Sequence, residues 1–304
     1  MSAMPALPIV HAPAYDAAFA PGHRFPMGKY TRLAQLLIDE GYADLDGFHR
    51  PGPAAAEWLA LAHDRSYVDQ VIASRVPKPI EREIGFDVDD RVSLRARLAT
   101  AGTVMAARLA LDTGIACNTA GGSHHARRAQ GAGFCTFNDV AVAAHLLLAG
   151  QEAERVLVID LDVHQGDGTA EICAGNPRIR TVSMHAERNY PARKTASSID
   201  VGLPDGTGDE AYLETLDRLL PLTVEGFAPD LVFYNAGVDP HRGDRLGRLD
   251  LSDDGLLARD RRVFSWFRQK DIPVASVLGG GYSHDIDALS RRHLLTFRAA
   301  LESL

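Results

Sequence analysis

A short apolar run that ends abruptly in charged residues constrains this chain more than any other feature. The stretch RVLVIDLDVHQGDGT, residues 155–169, contains the β-branched run VLVI at residues 156–159. Such a run is typical of a strand that is buried on both faces of a parallel sheet. Because open α/β sheets bind ligands beyond the carboxyl ends of their strands, the polar residues that follow are predicted to lie in a functional crevice.

The acids and the histidine of this stretch have the spacing of metal ligands. Side chains alternate along an extended segment, so Asp160, Asp162 and His164 can project to one side, and Asp162 and His164 can reach a single ion. Asp239, in the motif NAGVDPHRGD, follows another predicted strand and supplies a third ligand. Three protein ligands with one open position are typical of a catalytic metal site. This oxygen-rich set suits zinc, iron(II) or manganese.

Predicted strands and helices alternate along the rest of the chain. The patterns predict strands at residues 7–10, 115–118, 156–159, 179–184, 231–235 and 274–278. They predict helices at residues 30–41, 54–62, 67–73, 92–111, 139–148, 210–224, 256–267 and 286–301, and a loop at 189–208. We therefore expect one three-layer α/β/α domain over residues 1–304, built on a mostly parallel sheet.

Composition excludes several classes of protein. Lys and Arg total 32 against 40 Asp and Glu, which leaves a formal charge of −8 and argues against a general nucleic-acid binder. The three cysteines form no C-x-x-C pair, so neither a disulfide framework nor a thiolate zinc site is indicated. The N-terminal stretch lacks a signal-peptide pattern, and no apolar run approaches the roughly 18 residues of a membrane helix. A cytoplasmic protein without membrane contact is expected.

Three further polar segments are predicted to meet the metal ligands at the strand ends. The loop AGGSHHARRAQGAGFCTFND carries the adjacent histidines His124 and His125, and LGGGY ends in Tyr282. A metal ion can lower the pKa of its bound water to ~7, and a histidine oriented by a carboxylate, Asp160 or Asp167, can then act as the base. Tyr282 can donate to a developing oxyanion. The chemistry indicated is amide hydrolysis; the competing interpretation is ordinary turn and capping chemistry.

Five motifs in this order resemble those of a known family. GGSHHA with GAGFCTFND, DLDVHQGDGT, TVSMH, NAGVDPHRGDRLG and LGGGY are similar to the motif set of the zinc-dependent histone deacetylases, especially class IV-like and bacterial members. The similarity runs from about Pro21 to Tyr282. It implies an arginase-deacetylase fold.

The resemblance also implies roles for individual residues. Zinc, or alternatively iron(II), would be bound by Asp162, His164 and Asp239. The implied catalytic residues would flank the water and polarise the scissile carbonyl, and they are His124, His125, Asp160, Asp167 and Tyr282.

Two further sites are implied by the resemblance alone. Gly133 and Phe134 would line a tunnel for the acyl-lysine side chain. A structural monovalent cation, potassium, would sit near a group that supplies mainly backbone oxygens, namely Asp160, Asp162, His164, Ser183 and Met184.

Several functions remain open at this stage. Manganese ureohydrolases share the implied fold but hold two ions with an extra acid two residues beyond the loop histidine, where this chain has Gly166. A mononuclear deacylase acting on N-acyl-lysine in proteins or peptides is therefore preferred. The alternatives are hydrolysis of an acetylpolyamine or another small N-acyl amine, and a catalytically silent acyl-lysine binding protein. Acyl chain length, native metal and oligomeric state are not decided by the sequence.

Overall fold

One parallel sheet organises the part of the chain that the computed structural model describes, which is residues 7–20, 22–44 and 46–304. Residues 1–6, part of the stretch searched for a signal peptide, and Pro21, where the family motifs begin, lie outside the described residues. The sheet has seven strands: β1 (Ile9–Val10), β2 (Ile115–Asn118), β3 (Val156–Asp160), β4 (Ile179–Ala186), β5 (Ile199–Leu203), β6 (Leu231–Asn235) and β7 (Val274–Val277).

The strand order explains where the polar motifs meet. The strands lie in the order β1-β2-β7-β6-β3-β4-β5, and every pairing is parallel. Asp160 ends β3 and is in register with Asn235 of β6 on one side and Ser183 of β4 on the other. The carboxyl ends of the central strands therefore deliver all the predicted motifs to one edge of the sheet.

Ten α-helices accompany the sheet in the described part of the chain. They are α1 (Lys29–Asp39), α2 (Ala56–Leu59), α3 (Arg65–Ile72), α4 (Lys78–Ile84), α5 (Asp90–Thr113), α6 (Asp139–Ala149), α7 (Asp167–Cys173), α8 (Asp209–Val224), α9 (Asp253–Arg268) and α10 (Ile286–Leu301). Helices α5, α6 and α7 pack in succession, and α8, α9, α10 and α1 form a second packed series. The predicted three-layer α/β/α architecture is confirmed, and the sheet is wholly parallel.

The sequence patterns missed one strand and two α-helices of the described part of the chain. Helix α7 (Asp167–Cys173) falls within the polar stretch that follows β3, where no helix was predicted. Strand β5 lies inside the segment predicted as a loop at 189–208; it is an edge strand whose residues are mostly half-exposed, so no apolar run marks it. Helix α4 was not predicted because its sequence, KPIEREI, is short and carries four charged residues. All three omissions concern elements that are stabilised by their neighbours rather than by a strong local pattern.

Two expectations from composition can be compared with the structure. All three cysteines are buried and unpaired. Among the described helices, none combines the length and the apolar character that crossing a bilayer requires.

Candidate active site

The three predicted metal ligands meet at the carboxyl ends of β3 and β6. Asp162, His164 and Asp239 each offer one ligand atom, and these atoms lie within 4.8 Å of one another. His164 Nδ1 lies 3.0 Å from Asp162 Oδ1 and 3.1 Å from Asp239 Oδ2. All three side chains are buried. Two carboxylates carry more negative charge than one histidine can balance, and an unbalanced charge is costly in a buried cluster. This donor set fits one divalent cation of the zinc or iron(II) type.

Backbone amides fix the orientation of the Asp162 and Asp239 carboxylates. Asp162 Oδ2 accepts a hydrogen bond from the Gly280 amide at 2.7 Å, and Asp239 Oδ1 accepts one from the Val163 amide at 2.9 Å. These bonds occupy the outward oxygens and leave the inward ones facing His164 Nδ1. A side chain at position 280 would collide with both carboxylates, so glycine is required there for the close approach.

A buried arginine supports both ligand-bearing loops from behind. Arg259 is inaccessible to solvent and donates to the carbonyls of Leu161 at 3.3 Å and Gly237 at 2.6 Å. Its charge is balanced by Asp260 at 2.8 Å. Leu161 precedes Asp162, and Gly237 lies two residues before Asp239. Arg259 is therefore a positioning residue, and the sequence analysis missed it.

His124 lies against the metal-ligand cluster and is paired with an acid. Its Nδ1 lies 2.6 Å from Asp160 Oδ2, and its Nε2 lies 3.8 Å from Asp162 Oδ1. Burial lowers the pKa of His124, but the carboxylates of Asp160 and Asp162 outweigh burial and raise the pKa to about 9. Asn235 Nδ2 also donates to Asp160 Oδ1 at 3.0 Å, which fixes the carboxylate.

His125 has a different electrostatic environment although its ring lies only 4.1 Å from that of His124. Its Nδ1 donates to Asp167 Oδ1 at 2.7 Å, so its Nε2 is free to act. Burial and the neighbouring His124 charge lower the pKa of His125 to about 3. Asp167 Oδ2 also accepts from Arg127 at 2.8 Å, so Arg127 helps to hold the carboxylate that orients His125.

The backbone of the histidine loop is held by the start of α6. Asn138 is the N-cap of α6: its side chain accepts from the Ala141 amide, and it also donates to the carbonyl of Ala126. Asp139, buried, accepts from the amides of Gly122 and Ser123 at 3.1 and 2.8 Å. The two histidines are thus positioned by a helix terminus that follows them in the chain.

Tyr282 completes the group of predicted catalytic residues. Its ring centroid lies 6.2 Å from that of His164 and 5.7 Å from that of Phe134. Its amide donates to Asp244 Oδ2 at 2.6 Å, and buried Lys29 lies behind the preceding glycines, 3.3 Å from the carbonyl of Gly279. Burial, followed by the nearby Asp162 and Asp239, raises the pKa of Tyr282 well above its usual value, so the phenol stays protonated.

The predicted tunnel residues adopt an unusual backbone. Gly133 and Phe134 have φ of 53° and 65°, the left-handed region that a phenylalanine rarely enters. Two carbonyls at the end of α4 hold them there, because Glu83 accepts from the Gly133 amide and Ile84 from the Phe134 amide. The half-buried Phe134 ring faces the site, and Tyr190 packs edge-on against His125 at 4.7 Å.

Electrostatics distinguish the three buried aspartates nearest the cluster. Burial raises the pKa of Asp160, against the opposing effect of His124. Burial and the Asp162 carboxylate raise the pKa of Asp239 to about 7. For Asp162, burial is outweighed by His124 and His164, which hold the pKa well below its usual value. Neighbouring carboxylates whose pKa values are shifted in opposite directions are typical of a functional site.

The residues predicted to hold a monovalent cation lie at neighbouring strand ends. Ser183 is in register with Asp160 and its hydroxyl lies 3.0 Å from His185 Nδ1. Met184, like Ser183, is buried. The cation itself stays a prediction.

Some functional residues were beyond sequence reasoning. Lys29 is 1% exposed and comes from α1, 250 residues before Gly279, whose carbonyl it contacts in the loop that leads to Tyr282. The only sequence signal that Asn235 belongs to the site was its position at the end of a predicted strand. Tyr190 carried no signal, because it lies in a segment read as loop.

The site defines a class: an α/β protein with a catalytic-type metal-ligand set and two histidine–carboxylate pairs beyond its strands. The chain matches the family model described as histone deacetylase domain over residues 23–298. Histone deacetylase 2 of Arabidopsis thaliana is 33% identical over 95% of this chain and 80% of its own length. An uncharacterized protein of Picosynechococcus sp. is 43% identical over 96% of this chain and 98% of its own.

A solved structure of an HDAC homologue complexed with SAHA superposes with a TM-score of 0.80 at 25% identity, covering 95% of this chain and 82% of the other. The chain belongs to the histone deacetylase family. It is a deacetylase-type hydrolase with the arginase-deacetylase fold that its motifs implied.

Proposed function

We propose that this protein is a mononuclear metal-dependent amidohydrolase that removes acyl groups from N-acyl-lysine. One observation carries the proposal: the cluster of Asp162, His164 and Asp239 lies beside both histidine–aspartate pairs. One small cavity is lined by residues of this group, namely His124, His125, Asp162 and Tyr282. A silent binding protein would need only the cavity, whereas here residues suited to bind a metal, to act as a base and to donate to an oxyanion lie close together.

The donor chemistry supports a single zinc ion, with iron(II) as the alternative. A bound divalent cation supplies a Lewis acid that activates water and polarises a carbonyl. A second ion of the ureohydrolase type would need an acid at position 166. A Cβ at Gly166 would lie 2.5 Å from Asp160 Oδ2 and 3.3 Å from His124 Nδ1, so no carboxylate fits there.

His125 is the proposed general base. Its lowered pKa keeps it neutral, and the hydrogen bond from Nδ1 to Asp167 leaves the lone pair on Nε2 for a proton of the attacking water. The same Nε2 then returns the proton to the departing lysine amine. The carboxylates of Asp160 and Asp162 raise the pKa of His124, whose ring would lie beside the attacking water.

Tyr282 is the proposed oxyanion donor. Its protonated hydroxyl can donate to the carbonyl oxygen as negative charge develops there, which stabilises the transition state more than the ground state. The tunnel of Gly133, Phe134 and Tyr190 would hold the alkyl chain of the lysine between aromatic surfaces. The monovalent cation near Asp160 and Ser183 would be structural.

Removal and return of the metal test the proposal. The chelated protein should lose turnover of an acetyl-lysine peptide, and stoichiometric zinc or iron(II) should restore it. His125→Ala should bind metal but stay inactive, whereas Asp217→Asn, on the surface beside Arg262, should behave as wild type. Acetylputrescine, assayed in parallel, tests the polyamine alternative. If metal-replete protein does not hydrolyse the acetyl-lysine peptide, the proposed function is wrong.

A further inference from the structure

The mouth of the candidate active site carries a charge opposite to that of the whole chain. A cleft of about 410 Å³ leads from the surface to His125, His164 and Tyr282. Its charged surface residues, which we call the rim, comprise four arginines and one acid: Arg24, Arg82, Arg188, Arg248 and Glu83. The rim thus has a net charge of 4 − 1 = +3, whereas the chain has a net charge of −8.

The rim is assembled from four separate segments. Arg24 lies in the loop before α1, Arg82 lies on α4, Arg188 follows β4, and Arg248 precedes α9. All four arginines are exposed. Charges that converge from distant parts of the chain on one cleft form a local field that the overall composition does not reveal.

Most of these charges are not neutralised within the protein. Within the described residues, Arg24, Arg82 and Arg188 have no carboxylate within the 4.0 Å of an ion pair, and only Arg248 is paired, with Asp205 at 3.0 Å. Arg24 instead lies 6.0 Å from the ring centroid of Phe134 in the tunnel wall. Even when Asp205 is counted, the rim keeps a net charge of 4 − 2 = +2.

From this charge we infer that the enzyme selects acyl-lysine residues whose neighbours in the peptide are acidic. The inference rests on the proposed function and specifies its substrate class. The uncharged acyl-lysine side chain enters the tunnel, and flanking aspartates or glutamates remain at the rim, where guanidinium groups bind carboxylates with two hydrogen bonds. The cleft volume is in the range of sites that enclose a ligand larger than one side chain.

The same field opposes two other substrates. An acetylpolyamine keeps one or more ammonium groups at the mouth, where the arginines repel them. A lysine-rich and arginine-rich peptide is repelled in the same way. Like charges across a recognition surface suppress wrong partners, and they act mainly on the rate of association.

The experiment compares acetyl-lysine peptides of one length whose four flanking residues are acidic, neutral or basic, with acetylputrescine as a fourth substrate. The zinc-loaded enzyme is assayed at about 0.01 M and about 1 M salt, where the Debye length falls from ~30 Å to ~3 Å. We expect kcat/KM to be about tenfold higher for the acidic than for the basic peptide at low salt, and this ratio to collapse at high salt.

Two matched double variants distinguish the effect of the rim on peptide preference from the effect of the protein's net charge. Arg82→Glu with Arg188→Glu should reverse the order of the peptides without changing zinc content. Arg155→Glu with Arg178→Glu makes the same change in net charge near the amino ends of β3 and β4, the opposite edge of the sheet, and should keep the wild-type order.

Each outcome has a distinct meaning. Equal or better turnover of the basic peptide or of acetylputrescine would overturn the inference and leave the proposed hydrolysis intact, as would equal shifts in both double variants. Inhibition by a short DNA duplex, with no preference among the peptides, would assign the rim to phosphate binding and also overturn it. If no peptide is hydrolysed, the proposed function fails, and fluorescence anisotropy of the same labelled peptides then decides whether the rim prefers acids.

Discussion

The base of the active site and its rim are built on opposite physical principles. At the base, carboxylates and imidazoles are buried and fixed by hydrogen bonds at 2.6 to 3.1 Å. At the rim, arginines are exposed, and three of the four lack an ion-pair partner among the described residues. Interactions in the buried base are strong and little affected by salt, whereas those at the rim are long-ranged, weak and screened. We therefore expect the base to determine the reaction and the rim to affect which substrate reaches it.

The difference predicts how substitutions behave. A change at the base should reduce turnover of every substrate by one factor, because all substrates share the reacting amide. A change at the rim should alter the ratio between substrates and leave the chemical step intact. Four predictions test this division, beginning with the largest expected effect.

Asp162→Ala should abolish metal binding and activity. The substitution removes one of three ligands, and it also removes the acceptor of the Gly280 amide. Elemental analysis and peptide turnover should both fall to background, with acidic and basic peptides affected alike. Asp217→Ala, which removes a surface carboxylate, is the control and should retain the metal. One equivalent of tightly bound zinc in the Asp162 variant would contradict the assignment of the ligand.

Tyr282→Phe should retain the metal and lose kcat by about 10²- to 10³-fold, the usual cost of removing one oxyanion donor. The ring contacts with Phe134 and His164 remain, so KM should change little. The loss should be the same factor for every peptide, which turnover of the acidic and basic peptides measures directly. Tyr42→Phe, at a half-exposed tyrosine, is the matched control. Normal kcat in the Tyr282 variant would exclude the oxyanion role.

The same division separates what the sequence reveals from what it conceals. Asp160, Asp162 and His164 were predictable because a buried β-strand has a strong local pattern and because the residues after it share one edge of the sheet. Whether Asp239 would reach them depended on the strand order, because β6 lies beside β3 although it is not the next strand in the chain. The resemblance to a known family then assigned the remaining roles.

The rim had no such pattern. Arg82 lies on a helix that was not predicted, and Arg188 lies in a segment with no periodicity. Exposed arginines on separate loops are common, and nothing local shows that they converge. Lys29 and Arg259 were missed for a related reason: a buried charge is supported by distant carbonyls, and those contacts exist only in the folded chain.

The length of the acyl group provides a third test, which concerns the space available beside the predicted catalytic residues. Beside His124, His125 and Tyr282 lies a cavity of only about 20 Å³, which also contacts Phe25 and Tyr30. That volume is near the ~10–15 Å³ needed for one water-sized sphere. We therefore predict that acetyl-lysine is hydrolysed at least about tenfold faster than hexanoyl-lysine, measured as kcat/KM, because each additional methylene lacks space.

Enlarging the cavity sharpens this prediction. Phe25→Val removes part of the cavity wall and should narrow the difference between the two acyl groups, while the preference for acidic flanking residues stays unchanged. Thermal unfolding of the variant monitors the cost of the cavity that remains. Faster hydrolysis of hexanoyl-lysine by the wild type would show that the cavity opens on binding.

The smallest expected effect concerns the one paired arginine of the rim. Asp205 lies 3.0 Å from Arg248 and offsets its charge, so Arg248→Gln should change the ratio of kcat/KM for acidic over basic peptides by about twofold or less, the scale of an exposed ion pair. Arg188→Gln, at an arginine without a described ion-pair partner, should lower the ratio further. Conversely, Asp205→Asn releases Arg248 and should raise the ratio at low salt. If Asp205→Asn lowers it instead, Asp205 acts by holding Arg248 in place, and the number of rim charges cannot by itself explain the selectivity.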